Sequence, residues 1–198
     1  MATAAARERH RGDAGGRARA AATSSVDWSV LDAVVLSTLE DKVVHRKLRS
    51  LERLELQDVR VATEQAVSRH KRSIKAIGAL DLHQRLVDGL SGEALLVSAS
   101  MFLDTLQDAE RFFDLSFKTI KSKLGRNLDT SSSEVALRAA RVTTAAADLF
   151  GSFDAARRYL RTKNFALGGA TPLELLRTAE GERLVTNELH AQAESGPL

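Results

Sequence analysis

From Trp28 to Ile77 the large apolar residues recur at helical spacing: Val30, Val34 and Leu36, then Leu39, Val43 and Leu48, then Leu51 and Leu54. Charged residues fill the positions between them. Such spacing puts one face of a helix against a core and the other in water. Breakers are scarce along the whole chain. Two prolines and 12 glycines occur in 198 residues, and only Pro172 is internal. Together these features predict an all-α protein. With 43% hydrophobic and 28% charged residues, the chain suits one globular domain, or two small ones with a tail.

Other classes fall away on composition. The absence of cysteine excludes disulfides, thiol nucleophiles and thiolate metal sites, and agrees with a reducing, cytoplasmic location. No apolar run approaches the roughly 18 residues of a membrane span. The net charge of +3 points toward nucleic acid only until it is divided by region. Residues 1–22 carry five arginines against Glu8 and Asp13, a balance of +3, so the remainder is neutral. Any basic surface on the body must therefore be a local patch.

Residues 1–25 are Ala/Arg/Gly-rich and lack large apolar side chains, so they read as a disordered tail. The composition fits an upstream extension or basic arm, or an organellar transit segment. Residues 26–77 read as a helical extension. Within it, "SRHKRSIKAI" crowds Arg69, Lys71, Arg72 and Lys75. That run is a solvated helix face or a nucleic-acid contact. "GALDLHQRLVDGLSGEALLVSASMFL" then reads as two helices broken near Gly89–Gly92. Asp104 or Thr105 caps a helix with Phe112 and Phe113 on its apolar face, and Ser116 caps the next, with Ile120 and Leu124 inward. Two short helices joined by a tight break have the proportions of a helix-turn-helix. A longer helix capped at Ser131–Ser133 runs to Gly151, and Ser152 caps another. Thr171, Pro172 and Glu174 spell a capping box. Thr178 caps a last helix reaching to about Ala193.

Nothing in the residues argues for catalysis or for a cofactor. Gly168-Gly169 follows a helix rather than a strand, and Lys163 lies before the glycines, unlike a phosphate loop. The pair reads instead as a turn with positive φ at one or both glycines. His10, His45, His70, His83 and His190 form no pair at metal-binding spacing. Carboxylate pairs such as Asp104/Asp108 and Glu180/Glu182 lie beside basic partners, as on solvated faces.

The helix-turn-helix does offer chemistry. Ser116–Arg126 holds Lys118, Lys121, Lys123 and Arg126 and no acid. Ser116, Lys118, Lys121, Ser122 and Arg126 are the candidate DNA contacts, able to reach phosphates and base edges from a major groove. Asp114 stands in the turn where glycine is usual. Glu110 stands where a small residue lets two helices cross closely. The alternative reading is a helical hairpin that only packs.

"FFDLSFKTIKSKLGRNLDTSSSEVALRAARV", followed by "LFG", "YLRTKNFALGGATPLELL" and "TAEG", resembles the Xre/MbcA/ParS-type antitoxins of bacterial toxin–antitoxin pairs over about Gly78 to Gly196. The sharpest part runs from Leu149 to Gly181. The resemblance implies an Xre-like helix-turn-helix domain at 78–132 and a small helical toxin-binding domain at 133–198. It further implies a RES-domain toxin as partner, one that consumes NAD or transfers ADP-ribose, and dimer formation or a higher hetero-oligomer with the toxin. It also implies binding of operator DNA at the chain's own promoter. Toxin contacts are expected from Arg161 and Asn164 and from the last helix and tail. There helical spacing turns Leu184, Val185 and Leu189 inward and Arg183, Asn187, His190 and Glu194 outward, with Gly196 and Leu198 beyond. Phe165 replaces the proline usual in the family's "NPALGG" run, which should loosen the turn. The closing "RIEYG"-like tail is here "QAESG", without the arginine, isoleucine and aromatic. A second reading is a DNA-binding transcription regulator without a toxin partner.

Overall fold

A computed structural model describes residues 26–51 and 53–195. The tail at 1–25 and the candidate residues Gly196 and Leu198 lie outside the described residues. Among the described residues the fold is all-α, with one isolated bridge between Ser91 and Asn127. No helix there is long and apolar enough to cross a membrane.

Three helices form the first third: α1 (Trp28–Leu39), α2 (Lys42–Arg49) and α3 (Leu56–Lys71). Asp27 caps α1, and Asp41 restarts the chain as α2 by accepting from the Val43 and Val44 amides. That restart resets the phase of the apolar pattern. Val43, expected on the buried face, is 58% exposed, while Val44 and Leu48 go in. Burial opposes the Asp41 charge, yet hydrogen bonds from Val44, Arg69, His70 and Val43 together hold its pKa below the usual carboxylate range.

Helices α4 (Ala79–Asp88) and α5 (Glu93–Phe102) are separated at Gly89–Gly92, as the glycines predict. Every residue of α5 is buried, so it is the central helix and carries no polar face. Helices α6 (Leu106–Phe113) and α7 (Phe117–Lys123) follow as a tight hairpin. Helix α8 (Thr130–Phe150) begins earlier than its serines suggest: Asp129 accepts from the Ser132 amide at 2.8 Å. Ser133 instead accepts from the Leu90 amide at 3.0 Å, tying α8 to the α4–α5 break. Buried alanines at 136, 139, 140, 145, 146 and 147 let neighbouring helices approach α8 closely. Helix α9 (Phe153–Arg161), a single 3-10 turn (Phe165–Leu167), α10 (Pro172–Leu175) and α11 (Ala179–Ser195) complete the chain.

Helix α8 packs against α1, α4, α5, α9 and α11, and α3 packs against α1, α2 and α5. One buried cluster therefore joins Leu31, Val67, Leu95, Phe102, Ala140, Leu160 and Val185. Apolar packing is continuous across both 77–78 and 132–133.

Arg141 of α8 lies at the centre of a second tie. It donates to Asp32 of α1 at 3.0 Å and to Glu182 of α11 at 2.9 Å, and Arg138 reaches the same glutamate at 3.2 Å. Burial raises the Asp32 pKa, with Arg141 opposing. For Arg141 burial works the other way, but the two carboxylates outweigh it and hold the guanidinium charged.

Candidate functional site

The turn after α9 is built around Asn164. Its side-chain oxygen accepts from the Ala166 amide at 2.9 Å, and its carbonyl accepts from Leu167 and Gly169 at 3.1 and 2.9 Å. Its own amide donates to the Ala170 carbonyl at 3.0 Å, and its side-chain nitrogen donates to Glu188 of α11 at 3.1 Å. Every polar group of this asparagine is thus used within the turn or to dock it on α11. Gly168 and Gly169 both have positive φ, 69° and 82°, which explains the pair without any phosphate. Thr171 then closes the segment with a complete capping box. Its hydroxyl accepts from the Glu174 amide, and the Glu174 carboxylate accepts from the Thr171 amide at 2.9 Å. With Phe165 in place of the family's proline, Asn164 and the two glycines carry the turn.

Phe165 itself is 99% exposed. The turn holds a whole phenyl ring in water at its tip. Contact with a partner was expected from Arg161 and Asn164 but not from Phe165. Its signal in the sequence is a large aromatic between a turn-forming asparagine and a glycine pair. Arg161 is already engaged: it pairs with Asp104 and donates to the Phe102 carbonyl at 2.8 Å. The same aspartate accepts from Arg60 at 2.9 Å, so the end of α9 is fastened to α3 and to the start of the α6–α7 hairpin. Arg161 above all, with Arg60 aiding against burial, holds the Asp104 pKa low.

Helix α11 leaves the turn through a close contact. A Cβ on Gly181 would lie 1.9 Å from the Leu175 carbonyl oxygen, so only glycine lets α10 and α11 meet there. Thr178 caps the start of α11 by accepting from the Gly181 amide at 3.0 Å. Val185 and Leu189 are buried as expected, and Arg183, Asn187 and Glu194 face water as expected. Two residues differ. Leu184 is 41% exposed and joins the outer face, because the seam toward α8 runs through Val185 and Leu189. His190 is drawn inward and stacks on Trp28 at 5.6 Å between ring centroids, its Nε2 buried without a hydrogen-bond partner. Arg183 pairs with Glu180 at 2.5 Å on the helix surface. The outer face of α11 is then Arg183, Leu184, Asn187, Ala191 and Glu194, and the Asn164–Glu188 bond sets the Phe165 turn beside it.

Tyr159 lies beneath this surface, its hydroxyl buried and without a standard hydrogen bond. Burial first and the Glu188 carboxylate second push the phenol upward, with Asn164 a lesser opposing influence. An open cleft of about 310 Å³ lies between α1, α8 and the start of α11, lined by Trp28, Arg141, Glu182 and Arg183 among others. Arg141 is saturated there by its two carboxylates.

The second candidate surface is the α6–α7 hairpin. Asp114 adopts the left-handed conformation, φ 54°, so it performs the task glycine usually has in such a turn. Glu110 also has a structural role. Its carboxylate accepts from the Phe117 amide at the start of α7, and its carbonyl accepts from Leu115 at 3.1 Å. Ser116 caps α7 through the Thr119 amide at 3.2 Å, and the Ser122 hydroxyl turns back to the Thr119 carbonyl. Lys118, Lys121 and Arg126 are exposed, and Lys123 pairs with Asp129 at 3.0 Å. The described residues thus present three outward cations along α7 and just past its end.

Comparison with known proteins reports on the same segment. Residues 145–194, from the end of α8 to the last turn of α11, match the model of the antitoxin Xre/MbcA/ParS C-terminal toxin-binding domain. Over 116 residues, 58% of this chain and 72% of the relative, the sequence is 28% identical to the Antitoxin Xre of Pseudomonas putida KT2440.

Proposed function

Because residues 145–194 match the antitoxin Xre/MbcA/ParS C-terminal toxin-binding domain, we propose that this chain is an antitoxin of that type, which neutralises a cognate RES-domain toxin and represses its own promoter. The observation that carries the toxin reading is the 99% exposed Phe165 beside the outer face of α11, within the matched segment. Interfaces concentrate their energy in a few large side chains that enter partner pockets. Phe165 is the anchor of that kind here. Leu184, Asn187 and Arg183 form the surround, and Glu194 with the residues beyond it reaches the toxin's active-site cleft. Asn164 and Arg161 serve the contact indirectly, by holding the turn and docking α9.

The exposed cations of α7 support operator binding through the α6–α7 hairpin. They equally support the second reading, a transcription regulator without a toxin. Co-expression with the adjacent RES-type reading frame in a growth assay separates the two. Wild-type chain restores growth in the first reading and not in the second. Deleting Gln192–Leu198 is expected to leave the fold and DNA binding intact while abolishing rescue. Rescue by the truncated chain would show that neutralisation works from the Phe165 surface alone.

A further inference from the structure

We infer that helix α2 carries a second nucleic-acid surface, a phosphate-backbone clamp beside the end of α7. The inference rests on the promoter-binding reading and assigns a role to residues 26–77, which the matched segment leaves out.

The geometry turns on one oxygen. Glu93 Oε1 accepts from Arg49 Nε at 2.8 Å and from the Gly125 amide at 3.2 Å. Arg49 is at the last turn of α2, and Gly125 is two residues past α7. A single buried carboxylate oxygen therefore holds the end of α2 and the end of α7 together. Burial opposes its charge, but hydrogen bonds from its own amide, Arg49 and Gly125 keep Glu93 ionised. The contact is tight on the α7 side as well. The Gly92 amide donates to the Arg126 carbonyl at 2.7 Å, and a Cβ on Gly92 would lie 1.9 Å from the Lys123 carbonyl oxygen.

Charge follows the geometry. Lys42–Arg53 contains Lys42, Arg46, Lys47, Arg49 and Arg53 against one acid, Glu52. Helix α2 buries Val44, His45 and Leu48, which leaves Arg46 and Lys47 on its outer face, and Arg53 is also exposed. Glu93 neutralises Arg49 but faces inward. The exposed basic side chains at the α2 end thus lie beside the segment just past α7 that carries Arg126. Cations beyond the C-terminal end of a groove-reading helix meet the sugar–phosphate backbone flanking the groove. They add affinity for any sequence and leave base readout to the helix itself.

The test uses the full-length chain and two duplexes of equal length, one from immediately upstream of its own reading frame and one scrambled. Arg46→Gln/Lys47→Gln/Arg53→Gln is expected to weaken binding to both duplexes by the same factor. The loss should be at least about tenfold near 0.1 M salt, with the slope of log K against log salt reduced by about three, one per lost phosphate contact. Lys47→Gln alone should reduce the slope by about one, which keeps a readout if the triple variant folds poorly. Lys118→Ala/Lys121→Ala/Arg126→Ala should instead erase the preference between duplexes. If the α7 variant loses that preference while the α2 variants keep wild-type affinity and slope, the clamp is wrong and promoter binding stands. If the wild-type chain binds neither duplex at low salt, both are wrong.

Discussion

Single side chains divide into those that shape the turn and the one it displays. Asn164, Gly168, Gly169 and Thr171 build a rigid loop, and Phe165 is what the loop holds out. Gly168→Val should cost roughly 1–2 kcal/mol, since a β-branched residue resists positive φ, and Thr171→Ala should cost about 1 kcal/mol through the lost cap. Thermal unfolding checks both, and two unchanged melting temperatures would rule out the ordered turn. Phe165→Ser should behave oppositely. No packing is lost, so the melting temperature should hold, while affinity for the toxin should fall by at least about thirtyfold, the loss of a 2 kcal/mol anchor. Titration calorimetry against purified toxin reads that loss. Caps at Thr105, Ser116, Ser152, Thr171 and Thr178 were legible in the sequence because a cap is a local bargain between one side chain and the next turn. His190 was not, because its stacking depends on a residue far away. His190 meets Trp28, which is more than 160 positions earlier.

At the scale of helices, periodicity gave the elements but not always their phase. The apolar spacing of residues 28–77 is helical throughout, yet Asp41 breaks it by capping, and Val43 turns outward. Spacing alone cannot register such a reset, since a capping aspartate and a solvated one look alike in the sequence. The start of α8 was displaced for a similar reason: three serines outshone Asp129. That aspartate now makes a prediction. The Ser132 amide first, against some burial and with Lys123 helping, lowers its pKa to about 2 from an ordinary 3.8. A lowered folded-state pKa gives stability that is complete above pH 4 and is lost as pH falls from there toward 2. The group is about half exposed, so the gain is screened and modest. Asp129→Asn keeps a cap but cannot titrate. Its melting temperature should change less between pH 4 and pH 2 than that of the wild-type chain. Equal slopes for the two would remove Asp129 as the cause.

For the molecule as a whole, the all-α class followed from few breakers and helical spacing. The way the helices share one core did not, because long-range packing leaves no local signature. Arg141 makes that sharing testable. It is the cation between Asp32 of α1 and Glu182 of α11, and all three are largely buried. Arg141→Ala would strand Asp32, leave Glu182 to Arg138 alone, and should cost roughly 3–5 kcal/mol. A denaturant midpoint near the wild-type value would show the network to be idle. The continuous core has a consequence for how such a chain can change over generations. A gene cut at 132–133 would hand a recombinant partner the Phe165 turn and α11, but also an α8 stripped of α1 and α5. Its row of alanines would face water with nothing of matching shape to receive them. On the proposed reading, toxin recognition can change with least disturbance to that core within the Phe165 turn and along the outer face of α11. Those are the places where a side chain can be replaced without disturbing what lies beneath.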